Sequence, residues 1–135
     1  MIRNERVVRD FYDARARRDW DAVRELLAPN VVWRETEGDD YAGDHHGREA
    51  VTELLERFVE ITAGTFTLEP EGMISTAEHV AASVRWRAQR GGVAVDGYDL
   101  AVFRIEDAMI AEAWFFPDGF DPEALNRVFS FAAGE

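Results

Sequence analysis

Apolar residues recur every three or four positions in the first part of the chain and every second position in the last part. The first spacing is typical of amphipathic helices, and the second is typical of strands with one buried face. The helical spacing predicts helices at 4–18, after an N-cap at Asp19, and at 48–62. The alternating spacing predicts strands at 80–88, 93–105 and 109–116, and a last short helix is predicted at 122–129.

One further strand is predicted at 29–35, where turn residues give way to an alternating pattern. Val31, Trp33 and Glu35 then share one face of this strand. If that face is buried, the charged form of the Glu35 carboxyl is disfavoured and its pKa rises. Such a group is suited to act as a general base or acid, and the alternative is a carboxylate held in a salt bridge.

The order of the elements predicts one α+β domain at 1–135, without a linker or an internal repeat. Short extended pieces are predicted at 65–68 and 73–74, and Gly97 is predicted to interrupt the register of the long strand. The acidic, glycine-rich segment 36–47 is predicted to be a solvated loop that covers something. Helices on one face of a curved antiparallel sheet leave a tapered apolar pocket between the two layers.

Composition removes several classes of function. A net charge of −12 opposes binding to nucleic acid or to an anionic membrane. The chain has no Cys and no Lys, so thiolate chemistry and a Schiff base on a lysine side chain are excluded. A charged N-terminal segment argues against a secretory signal. We therefore expect a cytoplasmic domain whose chemistry uses carboxylates, His, Tyr or Arg, without a cofactor.

Three stretches resemble the NTF2-like superfamily, and in particular its SnoaL-like polyketide cyclases and ketosteroid-isomerase-like proteins. They are Arg-Asp-Trp-Asp-Ala-Val-Arg-Glu-Leu-Leu-Ala-Pro-Asn-Val at 18–31, His-Gly-Arg-Glu-Ala-Val at 46–51, and the strand pair at 98–117. The resemblance implies a cone-shaped α+β barrel in which a curved antiparallel sheet packs on three helices. It also implies a homodimer, but not one function, because this fold carries many functions.

The resemblance assigns roles to individual residues. The general base of ketosteroid isomerase falls on Glu35, and its strand carboxylate falls on Asp99 if one extra residue is allowed in the next turn. Without that insertion, Leu100 takes the position. The tyrosine of the first helix falls on Phe11, which donates no hydrogen bond, and Tyr12 points elsewhere around the helix. Steroid isomerisation is therefore not expected.

The implied ligand is a small hydrophobic molecule, flat or aromatic, in a pocket with aromatic walls. The same resemblance implies that the aromatic side chains of the walls face the pocket. Tyr12, Tyr41 and His46 are predicted to orient the ligand. His45 and His46 beside three acidic residues indicate a metal site only weakly, so we expect no metal. Trp114 and Phe116, on one face with Ile110, are predicted to form the dimer contact. The predicted substrate-binding residues are Phe11, Tyr12, Trp33, Tyr41, His46, Phe58, Trp86, Phe103 and Phe115.

These residues predict a cofactor-independent acid/base enzyme of the isomerase, cyclase or dehydratase type, with Glu35 and Asp99 as the catalytic pair. A non-catalytic binding or scaffold domain of the same fold is the alternative. A further alternative is an epoxide hydrolase, which needs an arginine inside the pocket. Every arginine on a predicted strand alternates to the opposite face, so this alternative is less favoured.

Overall fold

A computed structural model describes residues 2–132 of the chain. Four helices and one six-stranded curved sheet form an α+β fold, as the sequence predicted. Within the described residues, none of the helices combines the length and the hydrophobicity needed to cross a bilayer. The elements are α1 (Ile2–Arg17), α2 (Trp20–Leu26), β1 (Leu27–Glu35), β2 (Gly43–His46), α3 (Arg48–Ile61), β3 (Thr67–Ser75), β4 (His79–Arg90), β5 (Val93–Glu106), β6 (Met109–Asp118) and α4 (Pro122–Val128).

The strand order across the sheet is β2-β1-β6-β5-β4-β3. Four of the pairs are antiparallel, but β1 and β6 run parallel, with Trp33 opposite Ala113 and Glu35 opposite Phe115. The predicted antiparallel sheet therefore contains one parallel pair. The parallel pairing places the last strand between the first strand and β5, in the centre of the sheet.

The start of β1 differs from the prediction, because α2 ends at Leu26 and the strand follows directly. Pro29 and Asn30 lie in the irregular stretch between Leu27 and Val32, where the pairing with β6 changes register. A bulge tolerates proline, which lacks the N–H that a regular ladder needs. Asp19 does cap α2, because its carboxylate accepts a hydrogen bond from the backbone N–H of Ala22 at 3.2 Å.

Both edges of the sheet are more regular than the sequence indicated. The predicted loop at 36–47 contains the edge strand β2, which pairs with β1. The two predicted extended pieces after α3 form one edge strand, β3, with a change of register between Pro70 and Gly72. Strand β2 was missed because its side chains are polar on both faces, so no alternation marks it.

Gly97 does not interrupt β5, which pairs with β4 without a break in register. It lies opposite Trp86, and a Cβ at position 97 would come within 2.8 Å of the indole Cζ2 atom. The glycine therefore allows the indole ring to lie against the backbone of the neighbouring strand. The position of Trp86 in the interior depends on this absence of a side chain.

The helices cover the concave face of the sheet, and the core lies between these layers. Ile110 is fully buried in that core, so the prediction that it shares an outer face with Trp114 was wrong. The cause is a β-bulge at Ala111: Ile105 pairs with Ile110, but Arg104 pairs with Glu112. One extra residue on β6 reverses the orientation of the residues that precede it.

Candidate active site

A cavity opens inside the curved sheet, between α1, α3, α4 and the segment after β1. Its free space amounts to about 490 Å³, a figure that includes open solvent at the mouth, and about 50 Å³ of it is available to the centres of water molecules. We call it the main cavity. Its charged lining residues are Arg15, Glu35, Glu37 and Asp99. Its aromatic walls include Trp33, Phe58, Phe66, Trp86, Phe115 and Phe129.

Glu35 lies at the end of β1 and faces this cavity, on the same side of the strand as Trp33. The indole N–H of Trp33 donates a hydrogen bond of 2.8 Å to a carboxylate oxygen of Glu35. Burial raises the pKa of Glu35 to about 7, although the indole and the charge of Arg15 favour the ionised form. Near neutral pH this carboxyl can therefore accept or release a proton.

Asp99 lies on β5 and also lines the main cavity, whereas Leu100 is 51% exposed on the outer face. Of the two candidates, it is therefore Asp99 and not Leu100 that faces the cavity. Burial and, to a lesser extent, the negative charge of Glu35 raise the pKa of Asp99 to about 7. The charge of Arg15 and the indole of Trp86 act in the other direction, although the Trp86 Nε1 atom makes no hydrogen bond.

Strand β6 separates the two carboxyl groups, because it pairs with β1 on one side and with β5 on the other. Neighbouring strands lie about 4.8 Å apart, so the strands that carry Glu35 and Asp99 are about 10 Å apart. The side chains point into the same concave space. Since the charge of one carboxylate disfavours the other, the pair favours one ionised and one protonated group near pH 7.

Arg15 is the charged residue that the sequence reasoning missed. It lies on α1, lines the main cavity and is only 8% exposed. The prediction that no arginine faces the pocket was made for the arginines on strands only. The helix α1 supplies one instead. The helical spacing could have indicated that Arg15 is buried, because Val8, Phe11 and Arg15 follow one another at intervals of three and four on one helix face. The other two are completely buried.

The predicted ligand-contacting residues other than His46 occupy three different places. Trp33, Tyr41, Phe58, Trp86 and Phe115 line the main cavity. Phe11 and Phe103 are completely buried and lie behind the wall, with ring centroids 5.7 Å and 6.4 Å from those of Trp33 and Phe11, respectively. Tyr12 is 3% exposed and lines a second cavity instead. Five of the predicted residues therefore border the main cavity, and their role in ligand binding stays a prediction.

Tyr41 packs at one side of the main cavity, with its ring centroid 4.9 Å from that of Phe58. Its ring also lies against the backbone of Gly38, whose φ is +104°. A Cβ at position 38 would come within 2.3 Å of the tyrosine Cζ atom. The absence of a side chain at Gly38 therefore makes room for the ring of Tyr41. The same segment contacts α4, where the Asn126 side chain accepts a hydrogen bond from the Asp39 N–H.

His46 lies outside the main cavity, exposed on the edge strand β2 opposite Val32. The prediction that it orients the ligand does not agree with this position, because the pairing of β2 with β1 directs the segment away from the cavity. His45 contacts the Tyr41 carbonyl through Nε2 at 2.7 Å. In residues 2–132 no three His, Asp or Glu side chains are grouped so that they could hold a metal ion.

The helices packed on a cone-shaped sheet, with ionisable groups in an apolar interior, define the NTF2-like class of folds. The sequence matches the family model described as SnoaL-like domain over residues 8–113. Because the match covers more than half of the chain, this protein belongs to the SnoaL-like domain family. No curated protein shows a significant match to the chain.

Solved structures share the fold over almost the whole chain. Bal32a, from a soil-derived mobile gene cassette, is 27% identical with a TM-score of 0.84, covering 94% of this chain and 96% of Bal32a. An NTF2-like protein of unknown function from Burkholderia pseudomallei is 25% identical with a TM-score of 0.76, at 96% and 99% coverage. IdmH from Streptomyces antibioticus, a candidate polyketide cyclase, is 21% identical with a TM-score of 0.72, at 85% and 91% coverage.

Proposed function

We propose that this protein is a cofactor-independent acid/base enzyme that moves protons on a small, flat, apolar ligand held in the main cavity. The observation that carries the proposal is the state of Glu35: a partly buried carboxyl, facing a cavity, with a pKa near 7. Within residues 2–132, no arginine forms an ion pair with it. A carboxylate locked in a salt bridge would instead have a lowered pKa and no free oxygen.

The two carboxyl groups take different roles in the proposed reaction. Ionised Glu35 removes a proton from a carbon next to a carbonyl group, and the C–H electron pair moves into an enolate. Asp99, kept protonated by burial and by the charge of Glu35, donates a hydrogen bond or its proton to that ligand. Return of the proton at another carbon gives isomerisation, and attack of the enolate carbon on a second carbonyl gives cyclisation. If the ligand carries a hydroxyl group on the carbon beyond the enolate, that group can take the proton of Asp99 and leave as water, which gives dehydration.

Hydrogen exchange tests this proposal before the substrate is known. We expect the protein to exchange the α-hydrogens of a planar ketone such as 2-tetralone in D₂O, as followed by NMR. Glu35→Gln should slow the exchange about 10²–10⁴-fold. Glu53→Gln is the matched control, because Glu53 is exposed on α3. Exchange by Glu35→Gln at the rate of the unchanged protein would refute the role of Glu35 as base.

Epoxide hydrolysis is the second candidate, and Arg15 is the observation that favours it. Arg15 lines the same cavity as Glu35 and Asp99 and supplies the arginine that this reaction needs inside the pocket. Here Glu35 would take a proton from water, the water oxygen would attack one epoxide carbon, and Asp99 would protonate the leaving oxygen. Incorporation of ¹⁸O from labelled water into a diol product distinguishes this reaction from an isomerisation, which incorporates none.

We also propose a homodimer that forms through the outer face of the sheet. Leu100 and Phe116 are neighbours on β5 and β6 and are 51% and 47% exposed. Tyr98 and Ile74, on the same sheet, are exposed as well. Exposed apolar patches of this kind mark interaction surfaces. Light scattering should show a dimer that Leu100→Glu converts to a monomer, and a monomeric unchanged protein would refute the proposal.

A further inference from the structure

Arg15 is a buried charge without a partner. It is 8% exposed, and neither the ion pairs nor the side-chain hydrogen bonds found in residues 2–132 involve its guanidinium. Burial of a cation is costly unless it is paired and hydrogen-bonded. Its nitrogen atoms are not among the fully enclosed polar atoms that lack a partner in the described residues, so they face open space instead of protein acceptors.

Aromatic rings compensate only a part of this cost. The guanidinium carbon of Arg15 lies 5.7–5.9 Å from the ring centroids of Phe11, Tyr12, Trp33 and Phe66. Such contacts attract the positive charge, but they leave most of the five N–H donors of a guanidinium without an acceptor. These rings also hold the side chain in place, so the donors have a fixed direction.

The guanidinium lies where two cavities meet. One is the main cavity, where Arg15 shares the lining with Glu35 and Asp99. The other, which we call the side cavity, lies against α1 and is lined by Tyr12, Arg15 and Arg18, among others. Arg15 belongs to the lining of both. Its donors therefore border the space in which the proposed ligand lies, instead of pointing into packed protein.

We propose that Arg15 binds an anionic oxygen of the ligand, and that the ligand is a planar aromatic acid whose carboxylate contacts the guanidinium. The planar fork of an arginine matches a carboxylate in a bidentate arrangement. The walls formed by Trp33, Phe58 and Phe115 fit a flat ring system. This inference rests on the proposed function, with the main cavity as the ligand site, and changes its ligand from a wholly apolar molecule to an apolar ring system that carries one carboxylate.

The neighbouring charges predict how binding depends on pH. The groups around Arg15 are Tyr12 on α1, Glu35 on β1, Glu37 after β1 and Asp99 on β5, whereas Phe66 and Leu68 near β3 are apolar. A ligand carboxylate raises the pKa of Glu35 and Asp99 further, so binding takes up protons. The affinity for a carboxylate should therefore increase as the pH falls from 8 to 6, while that for the neutral amide changes less.

The test compares carboxylates with their neutral amides. Benzoate, cinnamate and 2-naphthoate are titrated against benzamide, cinnamamide and 2-naphthamide by calorimetry. We expect at least one acid to bind about tenfold more tightly than its amide or better, as a charge-assisted hydrogen bond produces. Arg15→Met should remove this preference, and Arg15→Lys should keep a part of it. Arg9→Met, a change of the same charge on the exposed side of α1, should leave it unchanged.

Two results would overturn the inference: no acid of the three binds more tightly than its amide, or Arg15→Met retains the preference. Circular dichroism checks that each variant is folded, and the acid–amide comparison on the unchanged protein decides the matter if Arg15→Met does not fold. The same titration with Glu35→Gln separates the two proposals. If that variant exchanges 2-tetralone hydrogens at the full rate but still prefers acids, the base role fails and the anion site stands.

Discussion

Removal of the Glu35 charge should stabilise the protein, and only at high pH. The pKa of Glu35 is raised by burial to about 7, so the folded state holds this proton more tightly than the unfolded chain does. Stability from this source is fully present below the ordinary pKa of 4.5 and is lost as the pH rises through about 7. In Glu35→Gln the side chain carries no charge at any pH, and the Gln oxygen still accepts the hydrogen bond from Trp33.

The size of the effect follows from the difference in pKa. Each pKa unit corresponds to about 1.4 kcal/mol. The difference between the two pKa values therefore limits the gain in the free energy of unfolding to about 3 kcal/mol. Because the carboxyl is only partly buried and Arg15 compensates some of its charge, we expect a gain of about 2 kcal/mol at pH 8.5. The corresponding rise in melting temperature is about 6–10 °C for a chain of this size. The gain should be small at pH 5 and should vanish below about pH 4.

Urea unfolding followed by far-ultraviolet circular dichroism at pH 5.0, 7.0 and 8.5 measures this dependence. Circular dichroism is preferable to fluorescence, because Glu35 is hydrogen-bonded to the indole of Trp33. In a chain with net charge −12, loss of any acidic group can relieve repulsion, so Glu53→Gln provides the baseline. A gain that is the same at all three pH values, or that Glu53→Gln equals, would refute a desolvated Glu35.

Two other changes have definite expected outcomes. Gly38→Ala should displace the ring of Tyr41 and lower the free energy of unfolding by about 1–3 kcal/mol, as measured with urea. Gly43→Ala is the control for backbone strain alone, because Gly43 also has a positive φ but has open space around it. Equal losses in the two variants would contradict the proposed contact. Arg15→Met should raise the free energy of unfolding by about 1–2 kcal/mol at pH 5.5. The gain should be smaller at pH 8, where ionised carboxylates compensate the cation. A lower free energy of unfolding than that of Arg9→Met at pH 5.5 would show that Arg15 stabilises the fold.

Local patterns predicted most of the fold, because the elements with one buried face carry their own periodicity. The alternation in β4, β5 and β6 and the stripes on α1 and α3 come from burial on one side. The parallel pairing of β1 with β6 could not be predicted in this way, since it depends on which distant strand fills the centre of the sheet. The bulge at Ala111 likewise depends on a single unpaired residue.

The candidate site was predicted from its carboxylates but not from its cation. Glu35 was found because a carboxylate follows two apolar residues on one strand face, and Asp99 because the family resemblance supplied a register. Arg15 was missed because a charged residue on an amphipathic helix normally faces solvent. Here the aromatic rings around it and the cavity beside it allow the charge to point inward, which only the assembled layers reveal.

The central position of β6 has a consequence for how the protein folds. Glu35 and Asp99 belong to strands that make no direct pairing with each other, and both strands pair with β6. Long-range pairings form slowly, since the chain between the partners must first lose entropy. Until β6 is inserted, the two carboxyl groups remain ordinary solvated acids. The appearance of a group that titrates near pH 7 would therefore report the insertion of β6.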